Sequence, residues 1–206
     1  MLIGIDFDNT IVSYDTLFHK VATEQGAVPG SIPLNKVAVR DHLRAIGKED
    51  VWTEMQGYVY GARMGEAAAY PGVIEFFRWA RAAGVPLCIV SHKTLHPFIG
   101  PKYDLHQAAR GWIETHLVDE QGALVAPERV FFELTKEAKW GRIAAAGCDW
   151  FIDDLPEILL APAFPGKASR LLFDPEAHHA DETALLRMAN WGDIRRHFER
   201  LCNPKH

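Results

Sequence analysis

The fold is decided by Met1-Leu2-Ile3-Gly4-Ile5-Asp6-Phe7-Asp8-Asn9-Thr10, a short apolar run that ends in polar residues. Its apolar part has the length and composition of a buried strand. In a sheet of parallel strands, ligands bind beyond the carboxyl ends, so Asp6 and Asp8 stand where reactive groups belong. Two carboxylates one residue apart lie on the same side of an extended chain and repel each other. A divalent cation would relieve this repulsion, although an Asx turn is the alternative interpretation.

Four further apolar runs are each too short for a helix of normal length, and they lie at residues 85–91, 130–132, 149–152 and 169–173. Between them, apolar residues recur every three or four positions, as on the buried face of a helix. Strands that alternate with helices form parallel sheets with helices on both faces. The pattern therefore predicts an α/β fold with a parallel sheet of about five strands.

One interval breaks this alternation. More than sixty residues between the first strand and Pro71 contain no convincing strand, and helical spacing recurs at 16–25, 36–46 and 50–64. We therefore predict an α/β core formed by residues 1–12 and 71–206, with a small α-helical cap subdomain at 13–70 inserted after the first strand.

Composition narrows the class of protein. The chain has 206 residues and a formal net charge of −5, which disfavours a polymeric nucleic acid as partner. It has no basic leader and no apolar run near the ~20 residues that span a bilayer. The three cysteines lack the C-x-x-C pairing of a zinc site. We expect a cytoplasmic protein without a membrane partner, and a homodimer is one assembly that the sequence allows.

Polar residues also follow the other predicted strands. Ser91 ends the second strand, where its hydroxyl could donate to a phosphate oxygen or cap a helix. Asp153 and Asp154 end the fourth, and burying them is costly unless a cation is bound. Lys136 and Lys139 open the helix after the third strand, and a lysine there opposes the helix dipole. The four groups are predicted to meet at one edge of the sheet.

Taken in chain order, as the acidic pair Asp6 and Asp8, then Ser91, then a lysine and then Asp153-Asp154, these groups at successive strand ends resemble the haloacid dehalogenase (HAD) superfamily. The resemblance covers residues 1 to about 175, whereas the helical insertion and the C-terminal stretch match only in kind. It implies a Rossmann-like sheet and a Mg²⁺-dependent phosphatase that acts on a small phosphorylated metabolite. Asp8 and the Asp153-Asp154 pair favour phosphorus over carbon–halogen chemistry, which needs neither a leaving-group acid nor a phosphate-neutralising metal.

The resemblance also implies roles for single residues. Asp6 would be the nucleophile that forms an aspartyl phosphate, and Asp8 the general acid and base. Ser91 and one lysine would hold the phosphoryl oxygens. Lys139 fits the family spacing better and Lys136 is nearer the strand end, so both stay candidates. Mg²⁺ would bind the Asp6 carboxylate, the Asp8 main-chain carbonyl and Asp153, with Asp154 as a further or outer contact. The candidates for substrate binding are Asn9, Thr10, His92 and Lys93.

Three other functions remain open. A phosphotransferase or phosphomutase would use the same residues, and a non-catalytic binding protein could keep the fold. A phosphonate hydrolase would need a Schiff-base lysine in the cap, where Lys20, Lys36 and Lys48 are present. A helical lysine is usually a solvated charge, and a binding protein needs no nucleophile, so we favour the phosphomonoesterase.

Overall fold

The computed structural model describes residues 1–203, and within this range the chain forms ten strands, eight α-helices and two 3₁₀ turns. The strands are β1 (Ile3–Ile5), β2 (Val12–Ser13), β3 (Ala68–Ala69), β4 (Leu87–His92), β5 (Val118–Asp119), β6 (Gly122–Ala123), β7 (Val130–Glu133), β8 (Trp150–Asp153), β9 (Ser169–Phe173) and β10 (Leu186–Met188). The helices are α1 (Asp15–Glu24), α2 (Lys36–Ala45), α3 (Glu49–Tyr60), α4 (Val73–Ala82), α5 (Leu105–His116), α6 (Lys136–Ala146), α7 (Pro156–Leu159) and α8 (Trp191–Cys202). The 3₁₀ turns are Met64–Glu66 and Pro127–Arg129.

Six strands form one sheet in the order β10-β9-β8-β1-β4-β7, and each neighbouring pair is parallel. Strand β1 lies inside this sheet, and Ile3 and Ile5 are fully buried. A parallel strand covered on both faces is expected to be apolar throughout. The predicted α/β class with a parallel sheet is confirmed.

Helices cover both faces of this sheet. Trp150 and Phe151 are adjacent on β8 and therefore point to opposite faces. The Trp150 ring lies 5.4 Å from the ring of Phe198 in α8. Phe151 belongs to a buried cluster with Ile143 of α6. The helices α6 and α8 are therefore on opposite sides of the sheet.

Gly4 permits close packing at the centre of the sheet. A Cβ atom at this position would lie 2.7 Å from the sulfur of Cys148 and 2.7 Å from the Phe151 ring. Both distances are shorter than van der Waals contact, so a larger residue would push the connection between α6 and β8 away from β1. The glycine thus helps to fix α6 against the strand that precedes Asp6.

The structure adds strands that the sequence pattern does not indicate. Strand β10 extends the sheet beyond the five expected strands, and its residues are exposed or half-buried, so no apolar run marks it. Strands β2 and β3 form a separate two-stranded sheet within the interval that we expected to lack strands. Each has only two residues, which is too short for a periodic signal.

The chain divides into two compact units. One comprises Met1–Ile11, Ala69–His92 and the chain from Leu117 onward, and the other comprises Val12–Ala68 and Lys93–His116. This division differs from the predicted one, because the second unit also contains Lys93–His116. The physical reason is that α5 packs on α3 and on the Met64–Glu66 turn, and the Trp112 indole donates to the Ala67 carbonyl at 2.8 Å.

The second unit has a core of its own. Helices α1, α2 and α3 pack against one another. The ring of Phe18 lies 4.9 Å from that of Trp52 and 5.6 Å from that of Tyr60. Among residues 1–203, no helix combines the length and the apolar character that crossing a membrane requires.

Candidate active site

Three strands of the sheet place polar side chains at one edge. Asp6 directly follows β1, Ser91 is the penultimate residue of β4, and Asp153 ends β8. Ile5 is in register with Ile89 of β4 and Ile152 of β8, and the main-chain N–H of Asp6 donates to the Ile152 carbonyl at 2.8 Å. The parallel register therefore brings the three side chains together.

A network of short hydrogen bonds joins these residues to Lys139. The Ser91 hydroxyl donates to Oδ1 of Asp6 at 2.9 Å. The Lys139 ammonium donates to the same oxygen at 2.6 Å and to Oδ2 of Asp153 at 2.6 Å. Each of the four residues is at most 4% exposed. Charges this deeply buried are tolerated because they are paired and hydrogen-bonded.

The structure separates the two candidate lysines. Helix α6 begins with Lys136, after Thr135 caps it by accepting from the Ala138 N–H. Lys139 is 2% exposed and contacts Asp6 and Asp153, whereas the Lys136 ammonium donates to Glu157 at 3.1 Å with its side chain 42% exposed. Lys139, one turn into the helix, is thus the lysine that reaches the carboxylates.

Burial dominates the electrostatics of Asp6. Loss of solvent raises the pKa of its carboxyl from 3.8 to about 7, with further increases from the charges of Asp153 and Asp8 and an opposing effect of Lys139. Burial alone would lower the pKa of Lys139, but the attraction of Asp153 and Asp6 outweighs it and raises that pKa. The lysine therefore stays protonated, and the site favours the addition of positive charge.

The acidic group at this edge fits a divalent cation. Asp6, Asp153 and Asp154 each offer a carboxylate oxygen, and these three atoms lie within 4.8 Å of one another. Hard cations such as Mg²⁺ prefer oxygen ligands of this kind. The negative charge of three carboxylates exceeds the single positive charge of Lys139, and this excess also favours a cation. The Asp8 side chain is not part of this group, and coordination by its main-chain carbonyl remains a prediction.

The loop after β1 is anchored from the far end of the chain. Asn9 has a left-handed backbone with φ 57°. The buried hydroxyl of Thr10 donates to Oδ1 of Asp154 at 3.3 Å. The main-chain carbonyl of Thr10 accepts from the Trp191 indole at 3.1 Å. Thr10 thus orients Asp154 in addition to its predicted contact with substrate. Trp191, the first residue of α8, was missed by the sequence analysis, because the sequence around an indole does not reveal its hydrogen-bond partner.

The remaining candidates for substrate binding are His92 and Lys93. His92 is half-buried at the end of β4, and burial lowers the pKa of its imidazole. Lys93 is the first residue of the segment Lys93–His116, which belongs to the second unit. Its ammonium lies 5.0 Å from the ring centroid of Tyr60, and its carbonyl accepts from the ring of His106 at 2.8 Å. Contact of either residue with substrate remains a prediction.

We expect Lys139→Met, studied in EDTA, to lower the free energy of unfolding by roughly 3–5 kcal/mol at pH 8, because it leaves buried carboxylates without a counter-charge. The loss should be smaller at pH 5. The pKa of Asp6 is about 7 in the folded protein and 3.8 ordinarily, so the contribution of Asp6 to stability falls as pH rises through this interval. At pH 5 the buried Asp6 carboxyl is largely protonated and depends less on the charge of Lys139 than it does at pH 8. Urea denaturation at both pH values measures the effect.

Lys136→Met is the matched control, because it removes a lysine of the same helix that pairs with Glu157 at the surface. It should change the free energy of unfolding little at either pH. A loss for Lys139→Met that is independent of pH, or an equal loss for Lys136→Met, would contradict the electrostatic role of Lys139.

Comparison with known proteins supports the fold. No family model and no curated protein sequence matches the chain. Among solved structures, it is similar to a HAD family hydrolase from Deinococcus radiodurans R1 with bound phosphate and sodium, at 18% identity and a TM-score of 0.55, covering 98% of this chain and 95% of that one. A predicted phosphoglycolate phosphatase from Haemophilus somnus 129PT matches at 17% identity and a TM-score of 0.55, covering 96% and 97%. An L-2-haloacid dehalogenase matches at 12% identity and a TM-score of 0.54, covering 96% and 98%. The chain thus has the fold of the haloacid dehalogenase superfamily hydrolases, which confirms at the level of the fold the resemblance that its motifs predict.

Proposed function

We propose that this chain is a divalent-cation-dependent phosphomonoester hydrolase that acts on a small phosphorylated metabolite through an aspartyl phosphate at Asp6. The observation that carries this proposal is the contact of one Asp6 oxygen with both Ser91 and Lys139, beside the carboxylate of Asp153. A nucleophile, two donors for phosphoryl oxygens and a cation site thus share one buried edge.

The fold alone does not choose between phosphorus and carbon–halogen chemistry, because similar structures include a phosphatase and a dehalogenase. The acidic residues favour phosphorus. A phosphate ester brings negative charge that must be neutralised, and its leaving oxygen needs a proton. The oxygen cluster of Asp6, Asp153 and Asp154 supports the first requirement, and Asp8 could meet the second.

In the first step, Asp6 attacks the phosphorus atom. Both hydrogen bonds described for its side chain end on Oδ1, so we assign the attack to Oδ2. A bond forms between Oδ2 and phosphorus while the bond from phosphorus to the leaving oxygen breaks. Asp8 gives its proton to that oxygen, so the alcohol departs neutral. The product is an aspartyl phosphate.

In the second step, water attacks the phosphorus atom of the intermediate. Asp8, now ionised, removes a proton from that water. The bond between phosphorus and Oδ2 breaks, which releases inorganic phosphate and restores the Asp6 carboxylate. The same residue therefore serves as acid and then as base, and it ends the cycle protonated as it began.

Ser91 and Lys139 are assigned to the phosphoryl group. Their donor atoms lie 2.9 and 2.6 Å from Asp6 Oδ1, next to the atom that attacks. The hydroxyl can donate to one phosphoryl oxygen, and the ammonium can offset charge in the transition state. Asp6, Asp153 and Asp154 would hold Mg²⁺, which when bound supplies positive charge to the carboxylates and the phosphoryl oxygens.

We assign substrate selection to the second unit, as expected of a helical cap. Its core contains several aromatic side chains, and Lys93 begins the segment that enters it after β4. The α/β unit supplies chemistry that any phosphomonoester could use, so discrimination between metabolites has to come from other residues.

We expect phosphate release from p-nitrophenyl phosphate to require Mg²⁺ and to stop in EDTA, because the adjacent carboxylates need a counter-charge. Ca²⁺ should support much less turnover, since it takes more ligands and would draw Asp6 away from a geometry suited to attack.

Asp6→Asn should remain folded by circular dichroism and release no phosphate, since an amide is no nucleophile. Full turnover in EDTA, or in this variant, would refute the assignment.

A second prediction concerns Asp8. If it protonates the leaving oxygen, Asp8→Asn should slow alkyl phosphates by about 10²–10⁴ more than p-nitrophenyl phosphate, whose leaving group departs without a proton. Dephosphorylation should still be slow in this variant, because Asp8 also acts as base. Stopped-flow measurement should therefore record a burst of nitrophenol followed by a slower steady rate.

Each substrate serves as a control for the other, because both carry the same phosphoryl group and their leaving groups differ in basicity. Equal slowing of both without a burst would mean that Asp8 acts chiefly through the metal. Release of halide from a 2-haloacid by the wild-type protein would overturn the phosphatase proposal itself.

A further inference from the structure

The first residue of α8 is buried against several other elements of the unit that contains the sheet. The Trp191 side chain is fully buried, and its ring centroid lies 5.0 Å from that of Phe76 in α4 and 5.7 Å from that of Phe173 at the end of β9. Gly72 has a left-handed backbone with φ 89°, and a Cβ atom there would lie 3.1 Å from the Cβ atom of Trp191. All four residues belong to the same unit. Packing therefore leaves the indole ring little freedom to move.

The local sequence fixes where α8 begins. The side chain of Asn190 accepts a hydrogen bond from the main-chain N–H of Asp193 at 2.8 Å, as an N-cap residue does. The buried residues of the helix are Trp191, Ile194 and Phe198, at the spacing of one helical face. Trp191 lies at the start of this face, so a shift of the first turn of the helix would also shift the indole.

Two hydrogen bonds in succession lead from this indole to the predicted cation site. The Trp191 N–H donates to the main-chain carbonyl of Thr10 at 3.1 Å. The hydroxyl of the same threonine donates to Oδ1 of Asp154 at 3.3 Å. Asp154 offers one of the three carboxylate oxygens that lie within 4.8 Å of one another. Through Thr10, the indole contributes to the position of this carboxylate.

The position of a carboxylate affects how tightly it holds a cation. Mg²⁺ demands near-ideal octahedral geometry, and a ligand that is free to rotate loses more entropy on binding than one that is already in place. Hydrogen-bond partners of metal ligands change metal affinity for this reason. Thr10 is suited to this role, because it is fully buried and both its hydroxyl and its carbonyl are engaged.

We propose that Trp191 is a positioning residue for the cation site: by fixing Thr10 it orients Asp154, increases the affinity for Mg²⁺ and couples the docking of α8 to binding of the cation. This inference rests on the cation site of the proposed function and adds the control of its affinity. Coupling between two equilibria is reciprocal, so a cation bound at the carboxylates stabilises the start of α8 in turn.

The first test measures the affinity for Mg²⁺ by calorimetric titration of the metal alone, without substrate. Trp191→Phe keeps an aromatic ring beside Phe76 and Phe173 but removes the N–H donor. We expect it to weaken Mg²⁺ binding roughly three- to tenfold, as loss of one neutral hydrogen bond would. Thr10→Val removes the hydroxyl that contacts Asp154 directly and should weaken binding about 10- to 100-fold. Unchanged affinity in Trp191→Phe would overturn the inference.

A double variant tests whether Trp191 acts through Thr10. If it does, Trp191→Phe combined with Thr10→Val should bind Mg²⁺ about as tightly as Thr10→Val alone, because the route to Asp154 is already broken. Effects that multiply would overturn this route. Trp112→Phe is the matched control, since that indole is 1% exposed and donates to the Ala67 carbonyl at 2.8 Å in the second unit. It should leave the affinity unchanged, and an equal loss there would overturn the specific role of Trp191.

The second test follows amide hydrogen exchange with and without Mg²⁺. In the wild-type protein, Mg²⁺ should slow exchange in peptides that cover α8 more than in peptides that cover β7 at the edge of the sheet, because the coupling is reciprocal. In Trp191→Phe, Mg²⁺ should protect the two regions to a similar extent. Equal protection of both regions in the wild-type protein would overturn the coupling. This comparison needs no variant, so it still decides the matter if Trp191→Phe does not fold.

Neither test requires turnover, so the inference and the proposed function fail separately. Mg²⁺ binding that depends on Trp191, without phosphate release from any ester, would refute the phosphatase and support the inference. Mg²⁺-dependent phosphate release with equal Mg²⁺ affinity in the wild-type and Trp191→Phe proteins would do the reverse. A wild-type protein that binds no Mg²⁺ at millimolar concentrations would overturn the inference.

Discussion

The buried ion group of Asp6, Lys139 and Asp153 is the interaction on which the rest of the site depends. One ammonium bridges carboxylates from two neighbouring strands at 2.6 Å each. This contact requires the parallel register of β1 and β8 and a helix that places its fourth residue over their ends. An uncompensated charge at this depth would be strongly destabilising, so strand register, helix position and side-chain identity constrain one another.

The same group explains why the site suits phosphate chemistry. Burial removes water from the Asp6 carboxyl and raises its pKa to about 7. Carboxylates in this environment attract a cation in addition to Lys139 more strongly than neutral oxygen ligands would. Excess negative charge at Asp6, Asp153 and Asp154 favours a divalent ion, and the ion in turn favours the anionic form of Asp6. Thr10 and Trp191 hold the loop that follows the first strand, and Thr10 also donates to Asp154 of this cluster.

Much of the fold and site could be predicted from local pattern. Buried parallel strands are continuous apolar runs, so Asp6, Ser91 and Asp153 could be placed at one sheet edge without coordinates. The choice between Lys136 and Lys139 could not be predicted from local pattern. Both lysines lie in the first turn of the same helix, and only packing decides which side chain is buried. The segment Lys93–His116 also resembles a core helix in its periodicity, and its partner in the second unit is set by tertiary contacts. Strand β10 has no apolar signal because its side chains are not buried.

The central claim is that Asp6 carries the phosphoryl group as a covalent intermediate. Borohydride reduces an acyl phosphate to an alcohol, so treatment of the protein during turnover of a phosphomonoester with Mg²⁺ should convert Asp6 to homoserine. Peptide mass mapping locates the modified residue, and the protein treated without substrate provides the reference. Homoserine at position 6, formed only in the presence of substrate, is the result that the account predicts. Modification at another residue, or turnover without any trapped residue in a protein slowed by Asp8→Asn, would contradict it.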